Sequence, residues 1–326
     1  MSNNTKFNKN MMDLGIERLS LSAISTFLQS PLAYYLKYVL GVQDLYPSSS
    51  IIRGLALQDS IDKALSGQNP LTEKFFRELW KNQLEGIKNF PLDLDKLNKK
   101  ADKDLALVIN LESCSIEYFK SIGVVSKNEK VNWTYRDVPF IGYMDYVTAD
   151  SVQELKCTSR VPSSLEKVNI AHIKQVCMYA KIAQKPRAVL VYPKGLTDSE
   201  KKDQFILDCK NGELSDKEII ALLKAKTGSG TTAAYIAKVI SEPPTFKEVI
   251  TYEFGQSEIA QYSRLFELDV DRYIFTMSNI PRTNFNENCK TLFWTSNLDY
   301  TISPYLKIVA ETEYKIKFPE NPTEED

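Results

Sequence analysis

Apolar, β-branched and aromatic residues crowd two short runs in mid-chain, Phe140 to Ala149 (FIGYMDYVTA) and Val152 to Ser159 (VQELKCTS), separated by the polar pair Asp150-Ser151. These read as a β-hairpin, with Val131 to Arg136 as a third strand meeting it. A helical pattern follows over Glu166 to Gln184, then a fourth strand over Ala188 to Tyr192. Upstream, Ser22 to Gly41 reads as two short helices or one broken at Pro31, and Ile51 to Leu65 as a helix entering the core. A helical pattern dominates Leu71 to Ile122, interrupted at Pro91. The order αβββαβ predicts an α/β fold, a mixed central sheet flanked by helices. Within it, 71–122 is a helical insertion in a core spanning 19–200, and 201–326 a helical C-terminal elaboration packing on that core. That last part includes helices at Asp216 to Lys226 and Thr232 to Ile240, a strand from Thr245 to Phe254 and a long helix from Ser257 to Met277. Residues 1–18 read as disordered or loosely attached, and the acidic end from Pro319 as a frayed tail. Gly228-Ser-Gly230 lacks the Gly-Lys-[Ser/Thr] and preceding strand of a phosphate loop and reads as a hinge.

Composition narrows the chemistry. The 326 residues are 43% hydrophobic and 25% charged, with a formal net charge of −1, as expected of a globular protein. No 18-residue apolar run and no signal-peptide start are present, which predicts a cytoplasmic protein with no membrane partner. The five cysteines form no Cys-x-x-Cys pair and read as free thiols. A single histidine, His172, argues against Ser-His-Asp catalysis and an ordinary zinc site.

Hard-oxygen chemistry remains. If Ala149 faces Val152 across the hairpin, Asp145 lies opposite Lys156 and Val147 opposite Glu154. Asp145, Glu154 and Lys156 then share a face while Leu155 and Cys157 point into an apolar layer. Two carboxylates, joined by the backbone carbonyl of Leu155, suit Mg²⁺ or Mn²⁺. Lys156 beside such an ion is placed to orient water or offset developing charge. The tripeptide acid-x-Lys occurs four times in the chain, at Glu154, Glu200, Asp208 and Glu313. An exposed strand with a cross-strand Asp–Lys pair is therefore an alternative reading of these residues. The first copy alone follows an apolar strand bearing Asp and precedes a helix with Gln175 and Tyr179 one turn apart.

Four blocks in order resemble the PD-(D/E)XK nuclease superfamily, in the RecB-like exonuclease branch that includes CRISPR-associated RecB-like nucleases and many phage exonucleases. Ser20 to Tyr38 resembles the N-terminal SxSxLxxFxxCPxxYxxxY segment. Arg53-Gly54 through Gln58, Asp59 and Asp62 resembles the helix that carries a histidine followed by an acid. Gly142 to Asp145 and Glu154 to Lys156 match the metal-binding motifs, and Gln175 to Tyr179 the Gln-x-x-x-Tyr helix. The resemblance implies a restriction-endonuclease-like core and a Mg²⁺- or Mn²⁺-dependent deoxyribonuclease. In it Asp145 and Glu154 bind metal, Gln58 sits at the periphery, Lys156 assists the attacking water, and Gln175 and Tyr179 position substrate or brace the lysine.

Two departures qualify it. The helix histidine is Gln58, which offers an oxygen but is no base near neutral pH; Asp62 or Asp59 is a candidate third acid. The N-terminal cluster cysteine is Ser30, read as an N-cap before Pro31. In the C-terminal segment Asn284 to Trp294 only Cys289 remains, so no iron–sulfur cluster is expected; Phe293, Trp294 and Tyr300 are expected to pack there instead. The implied partner is DNA, single-stranded or at duplex ends, with Lys99, Lys100, Lys103, Lys174, Lys181, Lys185 and Arg187 as a candidate basic strip. Tyr34, Tyr35 and Tyr38 are expected to pack the N-terminal helix rather than to stack bases. The chain carries no ATP-binding motif, so a recombinase, single-strand-binding protein or helicase would act beside it. Stand-alone members of the resembling family without the cluster often belong to viruses or mobile elements, so the resemblance implies such a source (host cytoplasm if viral) and a role in DNA recombination, repair or degradation. Alternatives are a structure-specific endonuclease and a catalytically inactive DNA-binding or scaffolding subunit.

Overall fold

Two serines start the first helices. Ser20 Oγ accepts from Ala23 N (3.1 Å) at the head of α1 (Leu21–Gln29). Ser30 Oγ accepts from Ala33 N (3.2 Å), with Pro31 opening the short α2 (Pro31–Tyr34), which runs into a π-turn at Tyr35–Val39. Ser30 is thus the cap the sequence predicts. Tyr34 and Tyr35 are buried, and Tyr34 bonds through its hydroxyl to that of Tyr273, so both pack as expected; Tyr38 stacks on Tyr34 with its outer side exposed.

The computed structural model describes residues 11–12, 14–87, 92–227, 231–244, 248–279 and 303–313. After α2 come α3 (Ser49–Leu65), α4 (Thr72–Glu85) and α5 (Leu94–Ser121). Strands β1 (Ser126–Tyr135), β2 (Val138–Val147) and β3 (Ser151–Leu155) follow, then α6 (Ile170–Ile182) and β4 (Arg187–Pro193), which completes the αβββαβ order. Beyond lie α7 (Asp198–Asn211), α8 (Asp216–Thr227), α9 (Ala233–Ser241), β5 (Val249–Phe254), α10 (Gln256–Ser278) and α11 (Pro304–Thr312). The fold is α/β. The sheet order is β1-β2-β3-β4-β5, with β3 and β4 parallel and the other neighbours antiparallel. One face carries α1, α6 and α10 over Phe140, Met144, Val152, Ala188 and Leu190. The other carries α3 and α5 over Tyr146, Val189 and Val191. Among the described residues no helix is long and apolar enough to cross a membrane.

Four expectations change. Met11, Leu14 and Ile16 are buried in the core, and Leu19 bridges to β2 by donating to Pro139 O and accepting from Ile141 N (both 2.9 Å). The chain is therefore seated from residue 11, because these apolar side chains cover Val138 and Phe140. The stretch 71–122 is more than an insertion: Leu105, Val108 and Leu111 of α5 build one of the two sheet faces. Position 200 is no division, since β5 pairs with β4 inside the sheet and α10 shares the α6-side core, while α7 to α9 pack on their own cluster of Ile206, Ile219, Leu223 and Ile236.

The hairpin register also differs. Tyr146 faces Gln153 and Val147 faces Val152, two residues from the expected pairing. The turn is Ala149-Asp150, closed by Thr148 N donating to Ser151 O (2.9 Å) while the Thr148 hydroxyl accepts from Ser151 N (3.0 Å). A threonine hydroxyl that satisfies the turn's own backbone outweighs the polarity of Asp150-Ser151. A shift of two keeps every β3 side chain on its predicted face, and Leu155 and Cys157 do meet the α3-side apolar layer. Pro91, Gly228 to Gly230, the segment Asn284 to Trp294 with Cys289, Tyr300 and the tail from Pro319 lie outside the described residues.

Candidate active site

Asp145 stands where two ladders break. On the β1 side Lys127 faces Tyr146 and Glu129 faces Met144, but the place between them, Asn128 against Asp145, is unpaired. On the β3 side pairing stops at Tyr146. Side-chain alternation slips here too, for Met144 and Val147 lie in the α6-side core and Tyr146 in the α3-side core. In the gap, Asp145 Oδ2 accepts from Leu155 N (2.9 Å), so the carboxylate does what a strand carbonyl would do. Leu155 thus meets the site through its N–H.

Glu154 and Lys156 complete the centre. Lys156 N donates to Val191 O (2.8 Å), which ties the end of β3 to β4. Its Nζ donates to Glu154 Oε1 (3.0 Å) and to Gln175 Oε1 (3.1 Å) on α6. The Glu154 side chain is 3% exposed, and its other oxygen, Oε2, has no hydrogen-bond partner among the described residues. Tyr179, one turn after Gln175, accepts from Tyr143 N (3.3 Å). Gln175 therefore braces the lysine and Tyr179 braces β2. Gly142 makes the second contact possible: a Cβ there would lie 2.6 Å from the Tyr179 ring and 2.7 Å from its hydroxyl. Gly142→Ala should lower stability by about 1–3 kcal/mol through overpacking. Thermal denaturation checks this: Gly142→Ala should lower the midpoint of the wild-type chain but cost far less when added to a Tyr179→Ala chain; an unchanged midpoint for Gly142→Ala alone refutes it.

Burial pushes the Asp145 carboxyl up to about 8, helped by the neighbouring Glu154 charge and opposed by Lys156 and the Leu155 N–H. An acid that stays protonated in the fold while its unfolded counterpart, near 3.8, has ionised gives the folded state the extra proton in that window. Stability of the metal-free protein should therefore fall as pH rises from about 4 to about 8. Asp145→Asn should flatten that slope in urea titrations across the window; an equal slope in both chains rules the assignment out.

The helix candidates separate. Asp59 pairs with Lys63 on its own helix (2.7 Å). Asp62 accepts from Asn128 Nδ2 at Oδ2 (2.7 Å), and Asn128 Oδ1 accepts from Gln58 Nε2 (2.6 Å). The Asp62 carboxyl also faces the buried Tyr146 hydroxyl, and its charge adds to the upward push on Asp145. Asp62, not Asp59, is the acid beside the centre, and Gln58 reaches it through Asn128. The sequence reading passed over Asn128 because it started that strand at Val131. His172 on α6 meets the Tyr192 hydroxyl through Nδ1 (3.2 Å); burial and the charge of Lys156 pull it down to about 4, so it is neutral.

The buried pair Arg53–Asp104 supports the end of β3. Asp104 Oδ1 takes Arg53 Nη1, Asp104 Oδ2 accepts from Ser49 Oγ (2.6 Å), and Arg53 Nη2 donates to Cys157 O (2.9 Å), one residue beyond Lys156. The expected basic strip is largely neutralised. Lys174 pairs with Asp269, Lys181 with Glu267, and Arg187 with Asp150 and Glu253, while Lys185 donates to Ala149 O. Lys99, Lys100 and Lys103 are exposed on α5.

Among the described residues no three His, Cys, Asp or Glu side chains group closely enough to form a metal cage. Mg²⁺ does not require one: it keeps several waters and takes one or two carboxylates plus substrate phosphate oxygens. Asp145 and Glu154, the latter with an unpartnered oxygen, fit that donor set.

No family model matches the chain, and no curated protein matches it. Among solved structures its fold is similar to that of a protein called "Putative exonuclease" from Eubacterium rectale, at 10% identity and a TM-score of 0.45, over 81% of this chain and 82% of that one.

Proposed function

We propose that this protein is a Mg²⁺- or Mn²⁺-dependent DNA exonuclease. The observation that carries the reading is the convergence of Asp145, Glu154 and Lys156 just beyond the last paired residues of β2 and β3, with Lys156 shared between Glu154 and Gln175. An acid pair that keeps one oxygen free beside a fixed ammonium is costly to build and has no structural need there. Asp145 and Glu154 would hold the cation, which when bound lowers the pKa of a coordinated water and screens the phosphate. Lys156 keeps its ammonium at hydrogen-bonding distance of Glu154, and from there it orients the attacking water and meets the charge that grows on the phosphoryl oxygens. Gln175 fixes the lysine's rotamer, so little reorganisation is needed as the reaction proceeds.

Gln58 favours a second reading, a DNA-binding subunit without turnover. It stands where the resembling helix carries histidine, and its amide is spent on Asn128. End-labelled linear single- and double-stranded DNA and closed circles, incubated with Mg²⁺, Mn²⁺ or EDTA, separate the readings. Metal-dependent loss of linear DNA alone supports the exonuclease, and loss of circles the endonuclease. A folded chain that binds DNA and cleaves none under either metal supports the subunit.

A further inference from the structure

Asn128 has a left-handed backbone, φ 52°, inside β1. Asparagine tolerates that region better than most residues, but in a strand it interrupts pairing, and the interruption falls opposite Asp145. The twist turns both ends of its amide to account: Nδ2 donates to Asp62 Oδ2 (2.7 Å) and Oδ1 accepts from Gln58 (2.6 Å). The preceding residue grips the same helix. Lys127 Nζ donates to Asp62 O (2.6 Å) and Ser66 Oγ (2.8 Å) near the C-terminus of α3, where a cation suits the helix dipole. Two consecutive β1 residues thus hold Gln58 and Asp62 of α3, and Ser66 that caps it, beside the strand that carries Asp145.

Resting on the nuclease reading above, we infer that Asn128 is a positioning residue: it trades a regular strand for an amide clamp that holds the Asp62 carboxylate beside Asp145. An irregular backbone that both breaks a ladder and bonds two groups of the centre is the kind of local strain that gathers at functional sites. A purely structural irregularity would need neither bond, because Asn128 is exposed and water could serve both partners.

Asn128→Gly separates the two roles, since glycine takes the left-handed backbone without strain while losing both side-chain bonds. Its thermal midpoint should equal or exceed that of wild type. Its Mn²⁺ affinity, measured by calorimetry on the DNA-free protein, and its cleavage rate should each fall by about 10- to 100-fold, the usual effect of removing a partner of a metal ligand. Asn128→Asp, which sets a like charge against Asp62, should lose at least as much. An Asn128→Gly chain that binds Mn²⁺ and cleaves as wild type does overturns the inference and leaves the nuclease reading intact. A wild type that neither binds Mn²⁺ nor cleaves overturns that reading and the clamp with it. Equal losses in affinity, rate and thermal midpoint also overturn it, because they mark Asn128 as structural only.

Discussion

Lys156→Ala should reduce DNA cleavage by about 10²–10³-fold, the scale on which one preorganised charge-stabilising donor contributes. The ammonium is held from two sides, by Glu154 at 3.0 Å and Gln175 at 3.1 Å, and its backbone by Val191. Little freedom remains to be lost when substrate arrives, and a group fixed in advance acts on the transition state rather than on binding alone. The effect should therefore appear in kcat while affinity for DNA under EDTA stays near that of wild type. Alanine also strips the nearly buried Glu154 of its partner, so loss of fold must be told apart from loss of chemistry. Lys156→Gln does so: it keeps a donor in reach of Glu154 and Gln175 but no charge. A folded, DNA-binding, inactive Lys156→Gln chain assigns the loss to the ammonium. Wild-type cleavage by either variant removes Lys156 from the mechanism.

Why this centre was legible in sequence, and its supports were not, follows from the range over which each interaction acts. Alternation along a strand is local, so Glu154 and Lys156 fall on one face whether the hairpin pairs as expected or, as found, two residues away. The Gln175–Tyr179 spacing is one helical turn and needs only that α6 exist. Asn128 escaped because its neighbours are polar, Ser126-Lys127 and Glu129-Lys130, and polarity alone reads as loop. Its strand is fixed by pairing with β2, which no local pattern reports. Arg53 and Asp104 lie fifty-one residues apart, on helices read as separate parts of the chain. Their meeting depends on α5 covering the sheet, the feature that a reading of 71–122 as an insertion obscures. The buried Met11, Leu14, Ile16 and Leu19 were missed for a similar reason: four spaced apolar residues among polar ones carry no periodic signal, yet all join the core on the α6-side face of the sheet.

That Arg53–Asp104 pair carries the largest expected effect on stability. The two side chains are 7% and 9% exposed, so solvent screening is slight. Asp104→Ala should destabilise the protein by about 3–5 kcal/mol, because it leaves the guanidinium buried without its counter-charge. Ser49 loses its acceptor at the same time. Against a total stability of about 5–15 kcal/mol, such a loss brings the chain near its folding threshold. Urea unfolding would show it as a shifted midpoint, with Asp104→Asn intermediate because an acceptor oxygen remains. If Asp104→Ala unfolds at the wild-type midpoint, the pair is not the support its burial implies. Removing both charges tests what the pair is for. Arg53→Met with Asp104→Leu fills the space with apolar groups and should recover most of the stability, as replaced buried ion pairs often do. It does not restore the bond from Arg53 Nη2 to Cys157 O, which anchors the chain one residue past Lys156. The double variant should therefore fold well and cleave poorly. Full cleavage from that stable chain would show that β3 and α6 hold Lys156 without help from α3.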